Sequence, residues 1–141
     1  MGSVTALCID DSPQVLHLRK ATLKSYGYRV RIASSGYAAM KLLKKKSVAA
    51  VLLDYKLEGM DAEAVAGHIK QQFPNLPIIL LSAFSEIPER VLWLVDEYVL
   101  KREIPEGLVR VLQRMTRPAN AEDVYKLAPG SPDEQSCRGE A

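Results

Sequence analysis

A chain of 141 residues, 48% hydrophobic and 26% charged, has the size and balance of one globular domain, and excludes disordered, collagen-like or two-large-domain organisations. A formal net charge of +2, without interleaved aromatic and basic residues, gives no basis for nucleic acid or an anionic membrane as a partner. The first ten residues lack the features of a signal peptide, and no apolar run reaches the roughly 18 residues a membrane helix needs; no membrane partner is expected, and the expected location is cytoplasmic.

In chain order, short apolar runs rich in β-branched residues recur at Val4–Ile9, Tyr28–Ala33, Ala50–Leu53, Pro77–Leu81 and Tyr98–Leu100, each followed by a segment of helical periodicity. Leu16 and Leu23 mark the first helix, with Arg19, Lys20 and Lys24 on its remaining surface and Gly27 as its stop. Ala39, Leu42 and Leu43 mark the second, and Ala64, Val65 and Ile69 a third that ends before Pro74. The fourth is placed at roughly Glu86 to Val95, where Leu92, Trp93 and Leu94 crowd every face. Leu108, Val111, Leu112 and Met115 mark the last, with Pro105 in its first turn. Strands that are continuously apolar, such as Ile78-Ile79-Leu80-Leu81, read as covered on both faces, so the expected fold is α/β: a five-stranded parallel sheet, doubly wound and flavodoxin-like. After Pro118 the composition turns to Ala, Pro, Gly, Ser and acids, so residues 1–117 are expected to form the domain and 118–141 a flexible tail.

Ligands of open parallel sheets bind outside the carboxyl ends of the strands. The residues that end these runs are Asp10-Asp11, Asp54, Ser82 and Lys101. Carboxylate oxygens suit Mg²⁺, a divalent cation relieves their mutual repulsion, and a carboxylate can form an acyl phosphate. Asp54 is then the phosphoacceptor, with Lys101 and the metal neutralising charge on the phosphoryl oxygens and Ser82 donating a hydrogen bond. Taken singly each residue has a plainer reading: Asp-Asp-Ser-Pro as a helix N-cap, Asp54 as a loop carboxylate, Ser82 as a cap and Lys101 as a solvated lysine. Those plainer readings give no reason for all five to end strands on one edge.

Leu7-Cys8-Ile9-Asp10-Asp11, Gly27-Tyr28, Leu52-Leu53-Asp54-Tyr55-Lys56-Leu57, Leu80-Leu81-Ser82-Ala83 and Tyr98-Val99-Leu100-Lys101 together resemble the receiver domain of two-component response regulators, over roughly Val4 to Arg117. The resemblance implies an aspartyl-phosphate switch, charged by a histidine kinase or phosphotransfer protein. It implies that Asp11 and Asp54 bind Mg²⁺ directly with the backbone carbonyl of Lys56, that Asp10 does so through water, and that Ser82 and Tyr98 relay the change. Three stretches depart from the family pattern. Arg102 replaces the proline that usually follows the lysine, often through a cis bond; a non-proline cis bond costs about 3 kcal/mol, so a trans bond and a shifted loop are expected. Glu58-Gly59-Met60-Asp61-Ala62 alters the loop beyond Asp54; Leu94-Val95-Asp96 replaces a Gly-Ala-Asp stretch and the Ser82–Lys101 segment is a few residues short, so the fourth helix is expected to be short or irregular.

The expected function is a stand-alone, chemotaxis-regulator-like receiver that is not an enzyme in the ordinary sense, although it would catalyse its own phosphorylation and dephosphorylation. Too few residues follow Arg117 for an output domain, so output by contact with a downstream protein target is expected. Lys56 and Phe84, two residues beyond Asp54 and Ser82, are expected to crowd attacking water and so modulate phosphoryl lifetime. The alternative is a pseudo-receiver, an interaction module that is not phosphorylated. A phosphohydrolase would want an acid where Lys56 stands, and a dinucleotide site would want glycines where Asp10-Asp11-Ser12-Pro13 stands. His17 and His68 read as surface residues, Cys8 as a buried strand filler and Cys137 as a tail thiol. Trp93 with Tyr98 reads either as core or as a partner-binding patch.

Overall fold

A computed structural model describes residues 4–55 and 61–116. Strands and helices alternate as β1 (Thr5–Ile9), α1 (Pro13–Ser25), β2 (Arg29–Ala33), α2 (Gly36–Lys45), β3 (Ala50–Asp54), α3 (Ala62–Gln72), β4 (Ile78–Ser82), α4 (Glu89–Leu92), β5 (Glu97–Leu100) and α5 (Glu106–Met115). The five strands are parallel in the order β2-β1-β3-β4-β5, so the strand order reverses between β1 and β3.

Alternation of side chains along each strand divides the interior into two cores. Leu7, Ile9, Val51, Leu53, Ile78 and Leu80 pack toward α2, α3 and α4. Ala6, Cys8, Ala50, Leu52, Ile79 and Leu81 pack toward α1 and α5. Every residue of β3 and β4 is buried, as expected of strands covered on both faces.

Helix ends follow local chemistry. Ser12 caps α1, its Oγ accepting from Val15 N–H at 3.3 Å ahead of Pro13, and Gly27 at φ 95° turns the chain after the helix, a conformation that favours glycine. Asp61 caps α3 by accepting from Glu63 N–H at 3.0 Å. Helix α4 is shorter than the Glu86–Val95 expectation: one turn behind Pro88, with no side-chain cap and only Val91 buried. Its neighbour Trp93 is 77% exposed, which corrects the reading of that side chain as core. Pro105 stands immediately before α5 rather than inside its first turn.

No helix among the described residues is long and apolar enough to cross a membrane. The expected tail, 118–141, lies outside the described residues, as do Lys56 and the 56–60 loop.

Candidate functional site

The reversal of strand order opens the crevice where a doubly wound sheet binds ligands. Asp10 follows β1 and Asp54 ends β3, the strands on either side of that reversal, and both are buried at 2% and 4% exposure. Ser82 ends β4 and Lys101 follows β5, so four strands deliver the predicted groups to one edge.

Lys101 Nζ lies 2.8 Å from Asp54 Oδ1, pairing a half-exposed ammonium with a buried carboxylate. Asp10 Oδ1 accepts from Ser12 N–H at 3.0 Å. Its Oδ2 has no hydrogen-bond partner although it is buried, and the nearest cation is Arg19, whose Nη1 lies 3.9 Å away. Burial, then a hydrogen bond to the Asp54 side chain, pushes the Asp10 carboxyl up to about 6. Below about pH 6 a proton on Asp10 therefore relieves part of the repulsion that a cation would otherwise relieve.

The remaining predicted residues differ in placement. Asp11 is half-buried, and among the described residues no three acidic, His or Cys side chains are disposed together as a metal site. Ser82 is fully buried, with its Oγ donating to Phe84 O and accepting from Phe84 N–H, both at 2.9 Å. Any bond from Ser82 to a phosphoryl oxygen must replace that local one. The Phe84 ring is 49% exposed and Tyr98 is exposed on β5, while Lys56 lies outside the described residues. The Lys101–Arg102 bond is not cis; the one cis peptide among the described residues is Ile104–Pro105, and Lys101–Glu103 forms a 3₁₀ turn where a shifted loop was expected.

Two residues escaped the sequence reading. Arg19, expected on the surface of α1, has a side chain only 13% exposed and turns toward Asp10. Its signal was its position three after Leu16 and four before Leu23, on the buried stripe. Asp96, within a stretch noted only as a departure, accepts from Ile78 N–H at 2.8 Å and lies 3.6 Å from Lys70 Nζ, fastening the start of β4.

A family model described as the response regulator receiver domain matches residues 6–113. This chain belongs to that family. Among solved structures, the receiver resembles the response regulator TrrA from Thermotoga maritima, solved in complex with Mg²⁺-BeF, at 30% identity and TM-score 0.73, over 79% of this chain and 98% of that one. A response regulator from Chloroflexus aurantiacus is similar at 26% identity and TM-score 0.75, over 83% of this chain and all of that one. Among curated proteins, the transcriptional regulatory protein GlrR of Escherichia coli is 34% identical over 85 residues, and a response regulator similar to NtrX from Rickettsia felis is 32% identical over 93. The chain spans about a fifth of those two proteins' length. Because such relatives include transcriptional regulators, they lend no support to the expectation that nucleic acid is not a partner.

Proposed function

We propose that this receiver domain is a phosphorylation switch in which Asp54 accepts a phosphoryl group from a histidine kinase or phosphotransfer protein, with residues 1–117 as the phosphoacceptor domain and 118–141 as a separate segment. The observation that carries this reading is the Asp54 carboxylate, buried at the end of the central strand and held 2.8 Å from Lys101 Nζ. An Asp54 oxygen forms a bond to phosphorus as the donor's bond to phosphorus breaks, and the pair of electrons leaves with the donor. The Lys101 ammonium, already aimed at Asp54, neutralises charge gathering on the transferred group. Ser82 gives up its bond to Phe84 O to donate to a phosphoryl oxygen, and that local rearrangement passes the change toward Tyr98 and the exposed Leu92 and Trp93, a surface suited to contact with a downstream protein.

An oxygen-only donor set and the unsatisfied Asp10 Oδ2 fit Mg²⁺. Asp10, Asp11, Asp54 and the Lys56 carbonyl would hold it, and it would supply positive charge to the phosphoryl oxygens. That TrrA was solved with Mg²⁺-BeF and in complex with the histidine kinase ThkA supports the same reading here, and we place the switch in the cytoplasm.

The test is intact mass after incubation with Mg²⁺ and a small-molecule phosphodonor, comparing the native chain with Asp54→Asn. Gain of one phosphoryl group by the native chain alone is expected. No gain, with no Mg²⁺ binding, establishes the pseudo-receiver, a reading that the one-turn α4 favours.

A further inference from the structure

Strand β2 forms one end of the sheet, and a cleft of about 690 Å³ runs along its outer side, away from the phosphoacceptor edge. Arg29 N–H donates to Val4 O at 2.9 Å and Ala33 O accepts from Asp10 N–H at 3.2 Å. Alternate residues of a parallel strand turn their backbone groups to the same neighbour, so Arg29, Arg31 and Ala33 face β1 while the N–H and C=O groups of Val30 and Ile32 face the cleft. An open strand edge of this kind is a template for another strand.

The cleft is also cationic. Lys20 and Lys24 of α1 line one side, Arg29 and Arg31 of β2 project on the other, and no acidic residue lines it. None of these four pairs with a carboxylate among the described residues. Leu42 of α2 and Ile32 add an apolar strip.

The described chain leaves the fold beside this cleft. Thr116, after the last turn of α5, has its side chain beside that of Tyr28, a residue that lines the cleft. From Ala119 onward the sequence carries five acids, Glu122, Asp123, Asp133, Glu134 and Glu140, against two bases, Lys126 and Arg138. Glu122 and Asp123 come six and seven residues after Thr116, a reach of roughly 20 to 25 Å, which covers the length of β2, about 17 Å for a five-residue strand. Val124, Tyr125 and Leu127 follow directly, apolar side chains to match Ile32 and Leu42.

We propose that residues 121–127 dock in the same molecule along the open edge of β2 as an added strand, with Glu122 and Asp123 against Lys20, Lys24, Arg29 and Arg31. The receiver then closes its own exposed edge, and the cleft selects its occupant by opposite charge.

Amide hydrogen exchange by NMR on the full chain at low salt tests this. The Val30 and Ile32 amides are expected to exchange slowly, and at least tenfold faster in Glu122→Lys/Asp123→Lys, while the Ile79 and Leu80 amides keep their native rates and show that the fold is intact. Arg29→Glu/Arg31→Glu should have the same effect, and the four changes together should restore protection. Unchanged exchange at Val30 and Ile32 in Glu122→Lys/Asp123→Lys would overturn the proposal. So would protection that rises with protein concentration, which would place a second copy on the edge.

Discussion

Asp10 is the residue at which environment and charge are most at odds. Its carboxyl is raised from an ordinary 3.8 to about 6, first by burial and then by the Asp54 side chain. The folded state therefore holds a proton that the unfolded chain releases between those values. Stability from this proton is fully present below about 4 and is lost as pH rises through about 6. Each pK unit corresponds to about 1.4 kcal/mol, so the loss is on the order of 1 to 3 kcal/mol. Urea midpoints without divalent cations should fall between pH 4.5 and 7.5 in the native chain, and Asp10→Asn should raise the midpoint at pH 7.5 and flatten the trend; a variant with the native pH slope would contradict this assignment. Cys8 gives a second expectation. Burial pushes its thiol up to about 12, so iodoacetamide at pH 8 should leave Cys8 unmodified in the folded protein and alkylate it only after unfolding, as peptide mass mapping would show.

Elements differ in how firmly they are tied. Helix α3 has a capping Asp61 and four buried residues, whereas α4 has no side-chain cap and buries Val91 alone. Trp93, the one tryptophan of the chain, sits at the end of α4 and should emit like a solvated indole and be quenched almost fully by acrylamide; a blue-shifted, protected emission would mean that α4 packs differently. The start of β4 depends on a single side chain from the β5 approach. Asp96→Ala strips Ile78 N–H of its partner and should cost about 1 to 2 kcal/mol in urea unfolding, while Asp96→Asn, which keeps an accepting oxygen, should cost less. These differences also explain what the sequence could reveal. The β3 and β4 runs are buried on both faces and so read as unbroken apolar stretches, and the Ser12 cap is written in the Asp-Asp-Ser-Pro run itself. The extent of α4 was not legible, because Leu92, Trp93 and Leu94 have no single apolar face and only packing decides which is covered. Arg19 was misplaced because a guanidinium is read as surface unless the burial of its carboxylate partner, Asp10, is known.

At the scale of the molecule, the edge that gathers Asp10, Asp54, Ser82 and Lys101 was readable because topology places the carboxyl ends of all parallel strands together, whichever loops join them. The detailed contacts were not readable: Ser82 spends its hydroxyl on Phe84, and Arg19 turns toward Asp10. The raised Asp10 carboxyl couples the site to the stability of the whole fold. If Mg²⁺ occupies the edge, it must displace the proton, so its affinity should weaken as pH falls through about 6. Because Mg²⁺ would bind the folded state and not the unfolded one, a concentration near a hundred times its dissociation constant should add about 2.7 kcal/mol, or roughly 10 to 20 °C in Tm for a domain of this size. Thermal unfolding at pH 7.5 should show that rise on adding Mg²⁺, its reversal by EDTA, and most of its loss in Asp54→Asn. At pH 5 the rise should shrink, since the proton then competes. A Tm indifferent to Mg²⁺ at pH 7.5 would mean that these carboxylates are held by Lys101 and Arg19 alone.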